Sequence, residues 1–495
     1  MVFLGLDIGT SGCKGVFIGL SGNVLAYAYK PYPTFRHQTG WIEQDPRDWW
    51  QAAIDVVAHC FHQSGLHKDD IKACGVTGHF STVVLVDSEG VPTGNAILYS
   101  DFRATKEAQE LGDKFGFETF TNRTGLQRHY FANLPVTKLR WLIKHDPERV
   151  RMARWILEPN DYINLYLTRK AGADHVQMGW SGLVGRGETT VNSMLADFAG
   201  CDASLWPERI HPVEVLGTVT EKASKEIDLK PGIPVVAGTG DGICGILGAG
   251  VVKPGVVVDC AGSTGIVGVA VEHDTFIDEE IFTVRAEGLI KNVDLAYSSM
   301  ANAGNCLEWF VSAWSGRSDQ DIDFVSLERE CVLETEGPGE VIFLPYLDGA
   351  YSPAVDPEAR GAFLGLSAHH RRSHLYRAIL EGVAYGMAEV IYKLEDRPEA
   401  IRAAGGGAAS DFWLQIKADI LGLPVERIAC VHTGCIGAAI LGAVGGGFYD
   451  SVIEASDNLV KITGRVEPDP YKHRKYLDVA KAFNNAFSCL RDIKI

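Results

Sequence analysis

An α/β fold built from two similar halves is what this sequence predicts, and three observations predict it. Strand-like apolar runs alternate with helical patterns along the chain. The opening stretch FLGLDIGTSGCKGVFIG is nearly rewritten as VVVDCAGSTGIVGVA from Val256 to Ala270. In each copy an aspartate, Asp7 or Asp259, closes an apolar run just before a Gly/Ser/Thr turn that leads into the next run. At 495 residues the chain exceeds one core, so two or three domains are expected, with a cleft between two duplicated lobes.

The elements follow in order. Phe3–Asp7, Lys14–Ile18 and Val24–Tyr29 read as a meander of short strands joined by glycine-rich turns. Asp45-Pro46 is an N-cap and first-turn pair, opening an amphipathic helix over Arg47–Ser64. Its Trp49, Trp50, Ile54, Val57 and Phe61 fall at helical spacing and read as packing residues. Strand-like runs return at Ala73–Val76, Val83–Val86 and Ile233–Ala237, with a helical pattern at Lys138–Lys144. Ala171–Ala203 is weakly patterned and reads as loop-rich. A second half starts near Gly248-Ala249-Gly250, and its strand Val341–Leu344 and helix Leu375–Leu394 follow the repeated hairpin. The lobes are placed at residues 1–246 and 247–495.

Composition narrows the function. With 46% hydrophobic and 22% charged residues the chain is an ordinary globular one. A net charge of −17 argues against nucleic acid or an anionic membrane as the main partner. The N-terminal residues lack a basic region and Asp7 interrupts the apolar run, so no signal peptide is expected and the cytoplasm is the expected home. Eleven scattered cysteines, with no CxxC pair, read as small buried hydrophobes rather than a metal centre.

Two glycine turns behind aspartates suggest phosphate binding. Backbone N–H groups of such a turn form a donor array for phosphate oxygens, and Thr10, Ser11, Ser263 and Thr264 add hydroxyls. No GxxxxGK[ST] is present, which removes a P-loop. Gly240-Asp241-Gly242-Ile243-Cys244-Gly245 fits a dinucleotide fingerprint, with Asp259 near the ribose-acid position. Against that stand the very short helix before Pro254, an aspartate where a pyrophosphate would face, and a second glycine turn directly after Asp259. Asp241 makes better sense as the base that takes a proton from an attacking hydroxyl in phosphoryl transfer, or simply as the cap of the following helix.

The pattern resembles the FGGY family of sugar kinases, a branch of the actin, Hsp70 and hexokinase superfamily, over nearly the entire chain. It does so through DIGTSGCKG, GWIEQDPRDWW, YSDFRA, the Pro-x-x-Lys-x-x-Trp of NLPVTKLRWLIKHDPE, GTGDGICGILGAGVVKPG, AGSTG, LPYLDGAYSPAVDPEARGAFLGLS and GGGAASDFWLQIKADILGLPV. Within the family it is most similar to the xylulose kinases. The resemblance implies two RNase-H-like domains, and ATP with Mg²⁺ as the phosphate source for a polyol, a sugar acid or a ketopentose such as xylulose. It implies Asp241 as base and Asp7 as the magnesium-holding residue. Phosphate contacts are implied from Gly9, Thr10, Ser11 and Lys14, and from Gly262, Ser263 and Thr264. Gly405, Gly406, Gly407, Ala408, Ser410 and Phe412 are implied to border the adenosine.

The sugar pocket is where this sequence departs from the family. The substrate motif falls on Gly78–Thr82, where xylulose kinases carry Gln-Met-His and glycerol kinases Gln-Arg-Glu; here it reads His79-Phe80-Ser81. Glycerol is thereby disfavoured, and His79 is left as the histidine that could bond xylulose. Gly242 and Tyr130 complete the implied substrate set, and the Asp-Gly after GTG is similar to gluconate kinases, which keeps a sugar acid open. His432 replaces a common glutamate and Ala409 a common arginine, without a physical account from sequence. His369, His370 and His374 read as packing rather than metal ligands. The expected partner is a small sugar or polyol, with a homodimer left open. The rival readings are a catalytically silent sensor on the same fold, and an ATPase that activates a redox partner; the latter would want clustered cysteines.

Overall fold

A computed structural model describes the chain except residues 189, 263, 274, 279–280, 283, 301, 316–323, 351–354, 357 and 491–495. Ser263 of the second phosphate turn lies outside the described residues. The described chain forms two compact units. The first is Met1–Val252 with Ala286–Lys291 and His432–Lys461; the second is Lys253–Arg285, Asn292–Val431 and Ile462–Ile495.

In the first unit, strand β1 (Val2–Ile8), strand β2 (Gly12–Gly19) and strand β3 (Val24–Pro31) form the expected antiparallel meander. β1 also pairs in parallel with Ile71–Gly78, which lies parallel to Pro234–Val236, and Val215–Thr218 closes the sheet antiparallel to that strand. Asp45 caps helix α1 (Pro46–Ser64) by accepting from Arg47 N–H at 2.9 Å, and Gly65 ends it in the left-handed region. Trp49, Trp50 and Val57 are buried against the sheet, with Ile54 and Phe61 partly buried beside them.

Six strands of the second sheet repeat this order and polarity, with Val284–Ile290 as an added edge strand. Val293–Met300, Gly265–Glu272 and Val256–Ala261 form an antiparallel meander. Ala400–Ala404 and Val425–Ile428 then follow in parallel, and Ile462–Val466 closes antiparallel. Duplication read from two short motifs is thus a duplication of sheet topology.

The first unit is not contiguous in the chain, and the glycines that permit this make sense only in space. The helix Thr433–Gly445 packs on β1 and Ile71–Gly78 of the first unit, although it lies near the end of the chain. A Cβ on Gly5 or Gly75 would run into the carbonyls of Cys435 and Ala438. Only glycine allows that approach of backbone to backbone.

Residues 171–203, expected to be loop-rich, hold the strand Gly172–Asp174 and the helices His175–Gly179 and Ser193–Ala199. These helices run only one or two turns, too short for a periodic signal. Among the described residues no helix is long and apolar enough to cross a membrane. The cysteines are thiols, and all but Cys260, Cys430 and Cys489 are buried.

Candidate active site

Three neighbouring strands of the first unit end side by side. Ile8 pairs with Gly78, and Gly78 pairs with Gly240, all in parallel. The residues that follow, Gly9, His79 and Asp241, therefore leave the sheet from the same edge, where ligands of parallel α/β sheets bind.

Asp7 is buried, its Oδ1 has no hydrogen-bond partner, and burial raises its carboxyl pKa despite the opposing charge of Lys14. Asp241 opens the helix Asp241–Gly248 as its first residue. Gly240, not Asp241, occupies the cap position, and Asp241 Oδ1 accepts from Gly242 N–H at 2.7 Å. Burial, and secondarily the neighbouring Asp7, push its carboxyl up to about 7. Two buried carboxyls feel the opposing charge of one lysine, Lys14, and form an under-neutralised pair. Oxygen donors of this kind suit a hard divalent cation. Gly434 leaves room beside Asp7, where a Cβ would stand 3.0 Å from Oδ2. Asp7 fits the magnesium-holding role by these criteria.

The turn after β1 is held open from outside. Tyr32 Oη donates to Gly9 O, Gln44 Nε2 to Thr10 O at 2.7 Å, and Tyr29 Oη to Ser11 O at 3.0 Å. Gly9 N–H closes on Gly12 O at 3.2 Å, while no backbone bond among the described residues uses the N–H of Thr10 or Ser11. With the carbonyls occupied, the donors are left for an anion. Lys14 sits opposite Asp7 in the β1–β2 register.

His79 is 2% exposed. Its Nδ1 lies 2.8 Å from Thr82 Oγ1, its Nε2 is unpartnered, and burial lowers its pKa to about 3, so the ring is neutral. Ser81 takes a φ of 57°, a strained value for a non-glycine residue. Two buried ionisable side chains hold it there. Glu158 accepts from Ser81 N–H at 3.1 Å and Thr82 N–H at 2.9 Å, and Lys138 Nζ donates to Ser81 O at 2.8 Å and Leu98 O at 2.7 Å. Lys138 is the lysine of the Pro-x-x-Lys-x-x-Trp signature, and the physical role of that motif is to clamp the loop after His79. Burial lowers the Lys138 ammonium pKa to about 7. Phe80 and Tyr130 both turn their rings edge-on to Trp180, at 5.1 and 5.5 Å. Gly242 is buried in the helix behind Asp241.

In the second unit, Gly262 N–H closes on Thr264 O at 3.0 Å, and Gly304 N–H donates to Gly262 O at 2.9 Å. Gly405 has a φ of 75° and leads into a single 3-10 turn, Gly406–Ala409. Ser410 then caps the helix Asp411–Leu421 through Trp413 N–H at 2.9 Å. Gly407 lies against the Trp413 ring, Ala408 is buried, and Phe412 is half-buried under the Arg377 guanidinium. Asp259 is buried in an ion pair with Lys417, which excludes it as a ribose ligand.

His432 gains an account that sequence could not supply: its ring stacks on Tyr27 at 3.6 Å, at the start of Thr433–Gly445. Ala409 is exposed, and nothing in the structure explains it. Glu340 Oε2 meets His369 Nε2 at 3.1 Å and His370 Nε2 at 3.2 Å, a grouping with metal-ligand reach. His370 Nδ1 accepts from Ser367 N–H at 2.9 Å, however, which puts the proton on Nε2 facing Glu340. The trio is a hydrogen-bonded cluster in that tautomer.

The comparisons with known proteins agree with this geometry. The model for the N-terminal domain of the FGGY family of carbohydrate kinases matches residues 2–248, and that for its C-terminal domain matches residues 259–446. The fold and the matches define a phosphotransferase with an alcohol group as acceptor, using ATP as co-substrate. The chain belongs to the FGGY family of carbohydrate kinases. It is 25% identical to the xylulose kinase of Bacillus subtilis, over 99% of this chain and 97% of that one. It is 27% identical to the L-xylulose/3-keto-L-gulonate kinase of Escherichia coli, over 99% and 97%. Among solved structures, xylulose kinase from Rhodospirillum rubrum superposes with a TM-score of 0.87, at 30% identity and 99% coverage of both chains.

Proposed function

We propose that this kinase transfers the γ-phosphate of Mg-ATP to a hydroxyl of a ketopentose such as xylulose, with Asp241 as general base. The observation that carries the reading is the carboxyl of Asp241 at the strand end beside Asp7, raised to about 7. A base raised toward neutrality keeps a working carboxylate form near pH 7 and is basic enough to take a hydroxyl proton.

Asp241 accepts the proton of the attacking hydroxyl, whose oxygen then bonds phosphorus as the bond to the ADP oxygen breaks. Asp7 would hold Mg²⁺, which when bound would neutralise charge on the phosphoryl oxygens. Thr10 and Ser11 N–H, the flanking Gly9, and Lys14 orient those oxygens from the first unit. On the second unit we assign the phosphates to Gly262, Ser263 and Thr264. The adenosine goes to Gly405, Gly406, Gly407, Ala408, Ser410 and Phe412. His79, Phe80, Ser81, Tyr130 and Gly242 border the sugar. In this assignment residues 1–246 carry the sugar and the first phosphate turn, residues 247–495 carry the nucleotide, and Gly434 stands behind Asp7.

The test is ADP release with Mg-ATP across D-xylulose, L-xylulose, D-ribulose, L-ribulose, glycerol, erythritol and D-gluconate. A ketopentose should respond most strongly, and Asp241→Asn should cut turnover by about 10²-fold or more while ATP binding persists. Near-wild-type turnover in that variant would remove the base assignment. Silence of the wild type on every sugar, with ATP still bound, would favour a sensor.

A further inference from the structure

We propose that Gln177 contacts the sugar directly, its amide reading hydroxyl groups next to the one that is phosphorylated, and that the pocket is therefore built for a neutral ketose or polyol rather than a sugar acid. The inference rests on the kinase reading above and deepens it.

Gln177 is 3% exposed, yet neither its Oε1 nor its Nε2 has a hydrogen-bond partner. A buried primary amide with both ends unpaired is costly, on the scale of a lost hydrogen bond at each end. Its position explains what it faces. A Cβ placed on Gly240 would lie 3.7 Å from Gln177 Nε2 and 3.5 Å from Phe80 Cβ, so the amide stands against the residue that precedes Asp241. The backbone behind it is fixed. Asp174 Oδ1 accepts from Val176 N–H at 3.0 Å and Gln177 N–H at 3.2 Å, and also from Thr239 Oγ1 at 2.9 Å. The short helix carrying Gln177 is thus pinned to the strand that delivers Asp241.

Two further unpartnered buried groups come from the neighbouring segment, His79 Nε2 and Ser81 Oγ. The Gly78–Gly240 pairing sets that segment beside Gly240 and Asp241. An amide, a neutral imidazole and a hydroxyl offer donors and acceptors together but no charge. Hydroxyls, which both give and take hydrogen bonds, match such a set. A carboxylate would require a cation, and the nearby Lys138 ammonium is committed to the carbonyls of Ser81 and Leu98. Nothing in the chain pattern marks Gln177, because its helix spans only His175–Gly179.

The experiment takes the panel sugar that the wild type turns over best and measures kcat and KM for sugar and ATP in Gln177→Leu and Gln177→Asn, with Tm alongside. Gln177→Leu should lower kcat/KM for the sugar by about 10- to 100-fold. KM for ATP should stay within about twofold, and Tm should be unchanged or raised, since an unpaired amide is replaced by an apolar side chain of similar size. Monodeoxy analogues of the same sugar sharpen the result: for one of them the wild type should lose rate and Gln177→Leu should lose no more. If Gln177→Leu does not fold, Gln177→Asn is read in its place, because it keeps the amide but withdraws it by one methylene. A lower Tm with sugar kinetics unchanged would mean that the amide serves a bound water and the fold, and would overturn the proposal. So would a wild-type preference for D-gluconate. A wild type inactive on every sugar would instead bring down the kinase reading, and this inference with it.

Discussion

The two glycine hairpins occupy equivalent places in their sheets, yet their aspartates have opposite fates. Asp7 keeps an unpartnered, buried carboxylate oxygen beside Asp241. Asp259, one residue further from its glycine in the second meander, is neutralised by Lys417, whose ammonium also lies 4.0 Å over the ring of Trp413. The turns are braced differently too: side chains of Tyr32, Gln44 and Tyr29 hold the first, whereas a backbone N–H, that of Gly304, holds the second. One hairpin keeps its buried aspartate with an unpartnered oxygen, and the other commits its aspartate to an ion pair in the core.

The largest effect that would break this comparison is on stability. Asp259→Asn should destabilise the protein by about 3 kcal/mol or more, because it strands the buried Lys417 charge; the double change Asp259→Leu with Lys417→Met should recover most of it. Denaturant unfolding measures both, and an unaffected Asp259→Asn would mean that the ion pair is not holding the core. Asp7→Asn should do the reverse. Turnover is expected to fall about 10²-fold, while Tm stays level or rises because an unpaired charge has been removed. Full activity in Asp7→Asn would end the claim that the two aspartates differ in role.

The acid chemistry gives the next step down. With its carboxyl raised to about 7, Asp241 holds a proton in the folded state that the unfolded chain releases near pH 4. Its contribution to stability is therefore present below about pH 4 and lost as pH rises to about 7. Asp241→Asn should be more stable than wild type by on the order of 1–3 kcal/mol at pH 8, with the gap closing near pH 4. In the active protein, kcat/KM for the sugar should climb as pH passes through about 7, because the carboxylate is the working form. The smallest effect concerns the bracing. Tyr29→Phe releases Ser11 O and should raise KM for ATP by about two- to fivefold, at a stability cost of about 1 kcal/mol or less.

The meander, both hairpins and α1 were legible because their signals are local: alternation, a capping aspartate, a glycine at each turn. The split between Asp7 and Asp259 was not, because the deciding residue Lys417 lies 158 positions from its partner. Asp241, His79 and the first glycine turn were named from motif and resemblance, and the strand register explains why those three leave the sheet of the first unit from one edge. Lys138 belongs to a recognisable signature, but its role shows only where its ammonium meets Ser81 O. Gln177 could not be found at all from sequence. Its distinction is the absence of a partner, a property of the folded chain alone.

The return of His432–Lys461 to the first unit has a consequence for biosynthesis. A ribosome delivers the strands β1 and Ile71–Gly78 early, but the helix that covers Gly5 and Gly75 emerges more than three hundred residues later. Until then the place of that helix on the sheet is unfilled, so the first unit cannot finish folding as it is made. Vectorial synthesis is thereby turned around: the unit that starts first is completed only after most of the second has been translated, and a nascent chain stalled near residue 430 should bind chaperones through that face.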